Sequence, residues 1–162
     1  MHTGLFLDRD GVINRELGAH TVRFEDFEIL PGVPEAIAAA TSAGWTVVVI
    51  TNQSGINLGL YGHATVERMH AYLAERLLAH QTQVAGIFYC PHHPQHGRCL
   101  CRKPGGLLLQ RAVARYGLDP IQSVMIGDRE RDVQAAVSVG IRGIRVPANA
   151  VLLDTLRANA LL

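Results

Sequence analysis

Asp8 and Asp10 stand two residues apart in the segment D-R-D-G, directly after the apolar run Gly4-Leu5-Phe6-Leu7. Two carboxylates at the end of a buried strand can divide labour. One attacks an electrophilic centre; the other protonates the leaving oxygen and then takes a proton from the attacking water. Asp128, in G-D-R-E-R-D, adds a third acidic group after another apolar run. Carboxylates gathered at one rim repel, and the usual remedy is a hard divalent cation. Mg²⁺ takes octahedral oxygen ligands at about 2.0–2.1 Å and keeps several waters. Asp8, Asp10 through its backbone carbonyl, and Asp128 are the expected ligands. Such a cation also cancels the repulsion between a carboxylate and a phosphate dianion. Asp8 is therefore the expected nucleophile, forming an aspartyl-phosphate, with Asp10 as acid/base.

Phosphoryl transfer spreads charge over the equatorial oxygens, so donors and cations should surround the phosphate. Thr51, Asn52 and Lys103 are the candidates, with Ser54 of Gln53-Ser54-Gly55 a further substrate contact. Asp132 falls in the first turn of an expected helix, where a carboxylate favours the helix dipole whatever the chemistry, so it is equally a support to the site or a structural residue. The chain's three cysteines, Cys90, Cys99 and Cys101, lie close together among His92, His93 and His96. An odd number of thiols in a reducing compartment points to metal ligation before disulfides. Residues 91–100 carry too little apolar surface to order themselves, and a metal clip would hold them near the site. His20, His63, His70 and His80 show no ligand spacing and are expected to have no role.

The elements that must position these groups alternate. Apolar runs at residues 4–7, 45–50, 84–89, 123–126 and 141–146 read as buried strands. Between them lie helical patterns: one with Pro34 in its first turn and closed by Gly44, one capped by Thr65 with Val66, Met69, Leu73 and Leu77 on one face, and two over residues 107–116 and 129–139, closed by Gly117 and Gly140. This alternation predicts an α/β fold with a doubly wound, Rossmann-like parallel sheet, formed by residues 1–162 as a single domain. In such sheets ligands bind beyond the carboxyl ends of the strands, where Asp8, Thr51, Cys90 and Asp128 would meet.

Lys and Arg number 15 against 14 Asp and Glu, a net charge of +1 that excludes a basic field for nucleic acid. No apolar stretch approaches the roughly 18 residues of a membrane span, so cytoplasmic residence is expected. A monomer acting on a small phosphorylated metabolite is the expected state.

The segments D-R-D-G-V, T-N-Q-S-G, C-R-K-P and G-D-R-E-R-D, in this order over about 130 residues, resemble the haloacid dehalogenase (HAD) superfamily. Y-C-P-H-H-P and C-L-C-R-K-P resemble its zinc-loop branch, in subfamily IIIA, which carries no large cap domain. The resemblance implies nucleophile Asp8, acid/base Asp10, Mg²⁺ at Asp8, Asp10 and Asp128, phosphate contacts from Thr51, Asn52 and Lys103, and a substrate contact from Arg102. It also implies structural Zn²⁺ at Cys90, His92, Cys99 and Cys101, in a loop over residues 90–101. Its implied substrate is a heptose 1,7-bisphosphate, attacked at the 7-phosphate, ahead of histidinol phosphate; a phosphorylation-switched signalling domain is the remote alternative. Gly105-Gly106-Leu107 and Ile56-Asn57-Leu58 depart from the heptose pattern, and Arg129 is closer to the histidinol one. Arg23 is offered for a second phosphate.

Overall fold

The computed structural model describes residues 2–162. Five parallel strands, β1 (Gly4–Leu7), β2 (Thr46–Asn52), β3 (Gly86–Cys90), β4 (Val124–Gly127) and β5 (Arg142–Arg145), form one sheet in the order β3-β2-β1-β4-β5. Helices α1 (Val33–Ser42), α2 (His63–Leu78), α3 (Leu107–Tyr116), α4 (Glu130–Val137) and α5 (Leu152–Ala158) provide the crossovers and cover both faces. One face packs Leu5, Leu7, Val47 and Val49 against α1, α2 and α5; the other packs Phe6, Val48 and Ile50 against α3 and α4. Alternate residues of β1 and β2 serve opposite cores, which is why these strands are apolar throughout instead of alternating. Among the described residues no helix is long and apolar enough to cross a membrane.

The doubly wound sheet is as expected, but several boundaries move. β2 continues through Thr51 and Asn52, because their backbones pair in register with Tyr89 and Cys90; the ladder overrides side-chain polarity. β3 begins at Gly86, two residues later than its apolar run, because its pairing with β2 starts at Val48 opposite Gly86; Tyr116 packs where a Gly86 side chain would project. α2 starts at His63 after an extended Gly62, so Thr65 lies inside the first turn and caps nothing. α4 starts at Glu130, with Arg129 as its N-cap residue and Asp132 accepting the Arg129 backbone N–H at 2.9 Å. α5 was not expected from the pattern; Leu152 and Leu156 bury it against the first core, and Trp45 Nε1 donates to Leu161 O at 2.8 Å.

β1 lies at the centre. The chain winds outward through β2 and β3 on one side, then returns to β4 on the other. The crevice at this reversal opens beyond the ends of β1 and β4, the position that doubly wound sheets use for ligands.

Candidate active site

β1 ends at Leu7 and β4 at Gly127, so Asp8 and Asp128 emerge side by side at the switch point. Two glycines allow the approach. Gly11 adopts φ +85°, and a Cβ there would lie 2.7 Å from Asp128 Oδ2; a Cβ on Gly127 would run into the Asp132 side chain. Asp8, Asp128 and Asp132 each present an oxygen within 4.8 Å of the others. Asp128 Oδ2 is buried, lies 3.3 Å from Arg129 Nε and accepts no hydrogen bond. Three clustered carboxylates with an orphaned oxygen suit a hard cation. Asp10 contributes no carboxylate oxygen to this group, which leaves its backbone carbonyl as the atom it could offer.

Lys103, only 1% exposed, reaches into the same cluster from the segment before α3. Its Nζ lies 2.8 Å from Asp8 Oδ1 and 2.6 Å from Asp132 Oδ1, and donates to Ile50 O at 2.8 Å. Burial alone would lower the Lys103 pKa, but the charges of Asp8 and Asp132 outweigh it and raise it above the usual lysine value. Burial, with Asp132 and Asp10 adding to it, pushes the Asp8 carboxyl up to about 7 despite the opposing pull of Lys103. Burial raises Asp128 as well, with Asp132 and Glu16 contributing and Arg129 opposing. Asp132 spends one oxygen on Lys103 and the other on the start of α4, so it anchors the cluster from beneath.

Asp10 has a different environment. Oδ1 accepts from Arg9 Nη2 at 3.0 Å and Asn14 Nδ2 at 2.9 Å, and Oδ2 accepts from Gln53 Nε2 at 2.9 Å. Burial opposes ionisation, yet the Arg9 charge and these donors hold the carboxyl below its ordinary value. Asp8 and Asp10 thus have carboxyls pushed in opposite directions, and a divalent cation beside Asp8 would bring its carboxyl down and favour the carboxylate.

Arg9 is completely buried. It lies over the Phe27 ring at 5.2 Å and faces His70 Nε2 at 3.5 Å. His70 is therefore no plain surface residue: burial first, then Arg9, pushes it down to about 3, so the ring is neutral and can accept from the guanidinium.

Thr51 is buried at the end of β2, its Oγ1 accepting from Gln53 Nε2. Asn52 exchanges hydrogen bonds with the Lys103 backbone, accepting its N–H at 3.0 Å and donating to its carbonyl at 3.2 Å. It therefore ties the Lys103 segment to β2 as well as facing the cavity. A cavity of about 330 Å³ opens beside Asp10, lined by Asn52, Gln53 and Ser54 and by Arg102, Arg129 and Arg131. His20, expected to have no role, lines it too, 3.3 Å from Ser54 Oγ. Arg23 is absent from the cavity wall; it forms a two-pronged ion pair with Asp26, both contacts at 2.9 Å, on the surface. The arginines that do line the cavity include Arg131, whose place in G-D-R-E-R-D has the pattern of an ordinary charged helix start.

Cys90, His92, Cys99 and Cys101 converge a short way off, every ligand atom within 4.8 Å of the others. Sulfur separations are 3.7 Å for Cys90–Cys99 and 3.1 Å for Cys90–Cys101, and His92 Nδ1 lies 3.2 Å from Cys101 Sγ. A tetrahedral zinc with bonds of about 2.3 Å to sulfur spaces its ligands by roughly 3.7 Å, so the set fits that ion. His93 instead accepts from the Gln95 backbone through Nδ1. Arg102 Nη1 donates to His92 O at 3.3 Å, joining the cluster to the cavity wall.

The HAD-hydrolase-like family model matches residues 100–159. A protein of Pseudomonas putida named D-glycero-beta-D-manno-heptose-1,7-bisphosphate 7-phosphatase is 44% identical over 143 residues, 88% of this chain and 81% of that protein. The Escherichia coli protein of the same name is 37% identical, covering 85% of this chain and 74% of its own. The crystal structure of a D,D-heptose 1,7-bisphosphate phosphatase from Bordetella bronchiseptica, complexed with magnesium and phosphate, superposes with a TM-score of 0.85 at 37% identity, over 96% of this chain and 86% of that one. The chain belongs to the haloacid dehalogenase-like phosphatases, enzymes that hydrolyse phosphoric monoesters.

Proposed function

We propose that the chain hydrolyses D-glycero-D-manno-heptose 1,7-bisphosphate at its 7-phosphate. The observation that carries the choice of a bisphosphate is that Arg102, Arg129 and Arg131 line the same cavity as Asp10. A monophosphate attacked by Asp8 needs only the cations around its own phosphate; three further guanidiniums suit a second anionic group at the far end of the substrate. The names of the relatives support the same reading.

Asp8 attacks phosphorus as the sugar oxygen departs, and Lys103 and the Thr51 hydroxyl face the charge on the phosphoryl oxygens. Asp10, which must first take up a proton as the substrate's negative charge enters beside it, gives that proton to the departing oxygen. The resulting carboxylate takes one from the water that cleaves the aspartyl-phosphate, returning Asp8 and releasing phosphate. Asp8, Asp128 and the Asp10 carbonyl would hold Mg²⁺, which supplies charge neutralisation between the nucleophile and the phosphate. The cysteine and histidine set would hold Zn²⁺ in a closed, structural site that fixes the loop behind Arg102.

The test compares kcat/KM for the heptose bisphosphate, the corresponding heptose 7-phosphate and histidinol phosphate. We expect the bisphosphate to lead each by about 100-fold, equivalent to about 2.7 kcal/mol of transition-state binding. A lead for histidinol phosphate would reassign the substrate and leave the reaction class intact.

The raised Asp8 carboxyl has a measurable consequence. Its folded pKa exceeds its unfolded one, so the folded state binds this proton more tightly, and the contribution of Asp8 to stability falls as pH rises from about 4 through 7. Melting temperatures measured in chelator across this window should decline toward neutrality relative to those of Asp8→Asn, which lacks this proton. Saturating Mg²⁺, which favours the carboxylate, should flatten or reverse the slope.

The metal loop makes a second prediction. Purified protein should carry about one zinc per chain. Cys90→Ser, at a buried ligand, should abolish zinc binding and lower the melting temperature by about 5 °C or more, the shift that about 2 kcal/mol produces in a domain of this size. Elemental analysis beside thermal melts checks both.

A further inference from the structure

Gln53 is 2% exposed, and its amide is completely employed. Nε2 donates to Asp10 Oδ2 at 2.9 Å and to Thr51 Oγ1 at 2.9 Å, while Oε1 accepts from Tyr61 Oη at 2.8 Å. The orientation follows from chemistry: an ionised carboxylate only accepts, so the amide must turn its NH₂ toward Asp10 and its oxygen toward the phenol. Asp10 Oδ1 is held by Arg9 and Asn14, but Gln53 is the partner found at Oδ2. Both Asp10 and Gln53 line the cavity, as does Tyr61. Tyr61 reaches this position because residue 55 is glycine; a Cβ there would run into the phenol ring. The last residue of Q-S-G therefore serves the first: Gly55 makes room for the hydroxyl that orients Gln53.

We propose that Gln53, oriented by Tyr61, is the positioning residue that aims the Asp10 carboxyl at the leaving oxygen. The inference rests on Asp10 being the acid/base of the reaction proposed above. Without Gln53, Oδ2 loses its fixed partner and the carboxyl can rotate about its last bond. Asp8 and Asp132 are held by Lys103 and not by Gln53, so they keep their contacts. Proton delivery should suffer while nucleophilic attack survives, a separation that depends on the leaving group. A sugar alkoxide needs its proton in the transition state; a nitrophenolate leaves without one.

The experiment measures kcat/KM, which reports the steps through leaving-group departure, on the heptose bisphosphate and on p-nitrophenyl phosphate, at enzyme concentrations that resolve slow turnover. Gln53→Met, near in size but without the amide, should lose about 100-fold on the sugar substrate and less than about 3-fold on the aryl one. Tyr61→Phe, which removes only the hydroxyl, should show the same split at about 5-fold to 10-fold. Asp10→Asn is the control and should show the largest split. Equal losses on both substrates for Gln53→Met, or no effect of Tyr61→Phe on either, would overturn the inference. An Asp10→Asn enzyme without the split would overturn the acid/base assignment itself, and the inference with it.

Discussion

Asp8→Asn should reduce turnover by at least about 10⁴-fold while leaving the protein folded. The amide is nearly the same size, so the packing at the end of β1 survives. Asn cannot form the aspartyl-phosphate, and no neighbour replaces it: Asp10 is held by Arg9, Asn14 and Gln53, and Asp132 is committed to Lys103 and to the start of α4. Phosphate release from the heptose bisphosphate, measured beside a thermal melt of each protein, checks both halves. Substantial residual activity would mean that water attacks phosphorus directly.

Lys103→Met should have the largest effect on stability. The substitution removes the cation between Asp8 and Asp132, two carboxylates with side chains 6% and 0% exposed. Breaking a buried ion pair from one side costs about 3–5 kcal/mol, because the remaining charges have no partner. In a domain of this size that corresponds to a melting-temperature loss of roughly 10 °C. Because the stranded carboxylates can relieve their repulsion by taking protons, the deficit should shrink at acid pH and be greatest at neutrality. Activity should fall by about 100-fold or more, since Lys103 also faces the phosphoryl charge. Melts of both proteins across pH, alongside steady-state rates, provide the check.

Much of the site was legible because its residues occur where strands end. The apolar runs before Asp8 and Asp128 imply strands, and a parallel sheet brings strand ends to one rim without any further information. The cysteine cluster was legible because three thiols and a histidine at short spacing in a polar loop are the soft ligands that zinc takes. Arg9 was hidden by its type. A guanidinium between two aspartates reads as solvated charge, and only the packing of Phe27, Met69 and His70 around it reveals a buried cation. Gln53 was hidden likewise, since an amide after a strand reads as a turn; its role depends on Tyr61, eight residues on, turning back across Gly55. Arg23 failed in the opposite way, because Asp26, one helical turn later, claims it on the surface. Local patterns carry strand ends and ligand spacings; side-chain networks that close only in three dimensions are not written in either.

The most direct test of the central claim is to capture the covalent intermediate. The enzyme would be quenched in acid during turnover, reduced with borohydride and digested for mass spectrometry. Aspartyl-phosphate at Asp8 is reduced to a homoserine side chain, while free carboxylates are untouched. The expected result is modification at Asp8 alone, dependent on substrate and absent from Asp8→Asn. Continued turnover with Asp8 unmodified, or modification at another carboxylate, would contradict the assignment of Asp8 as nucleophile.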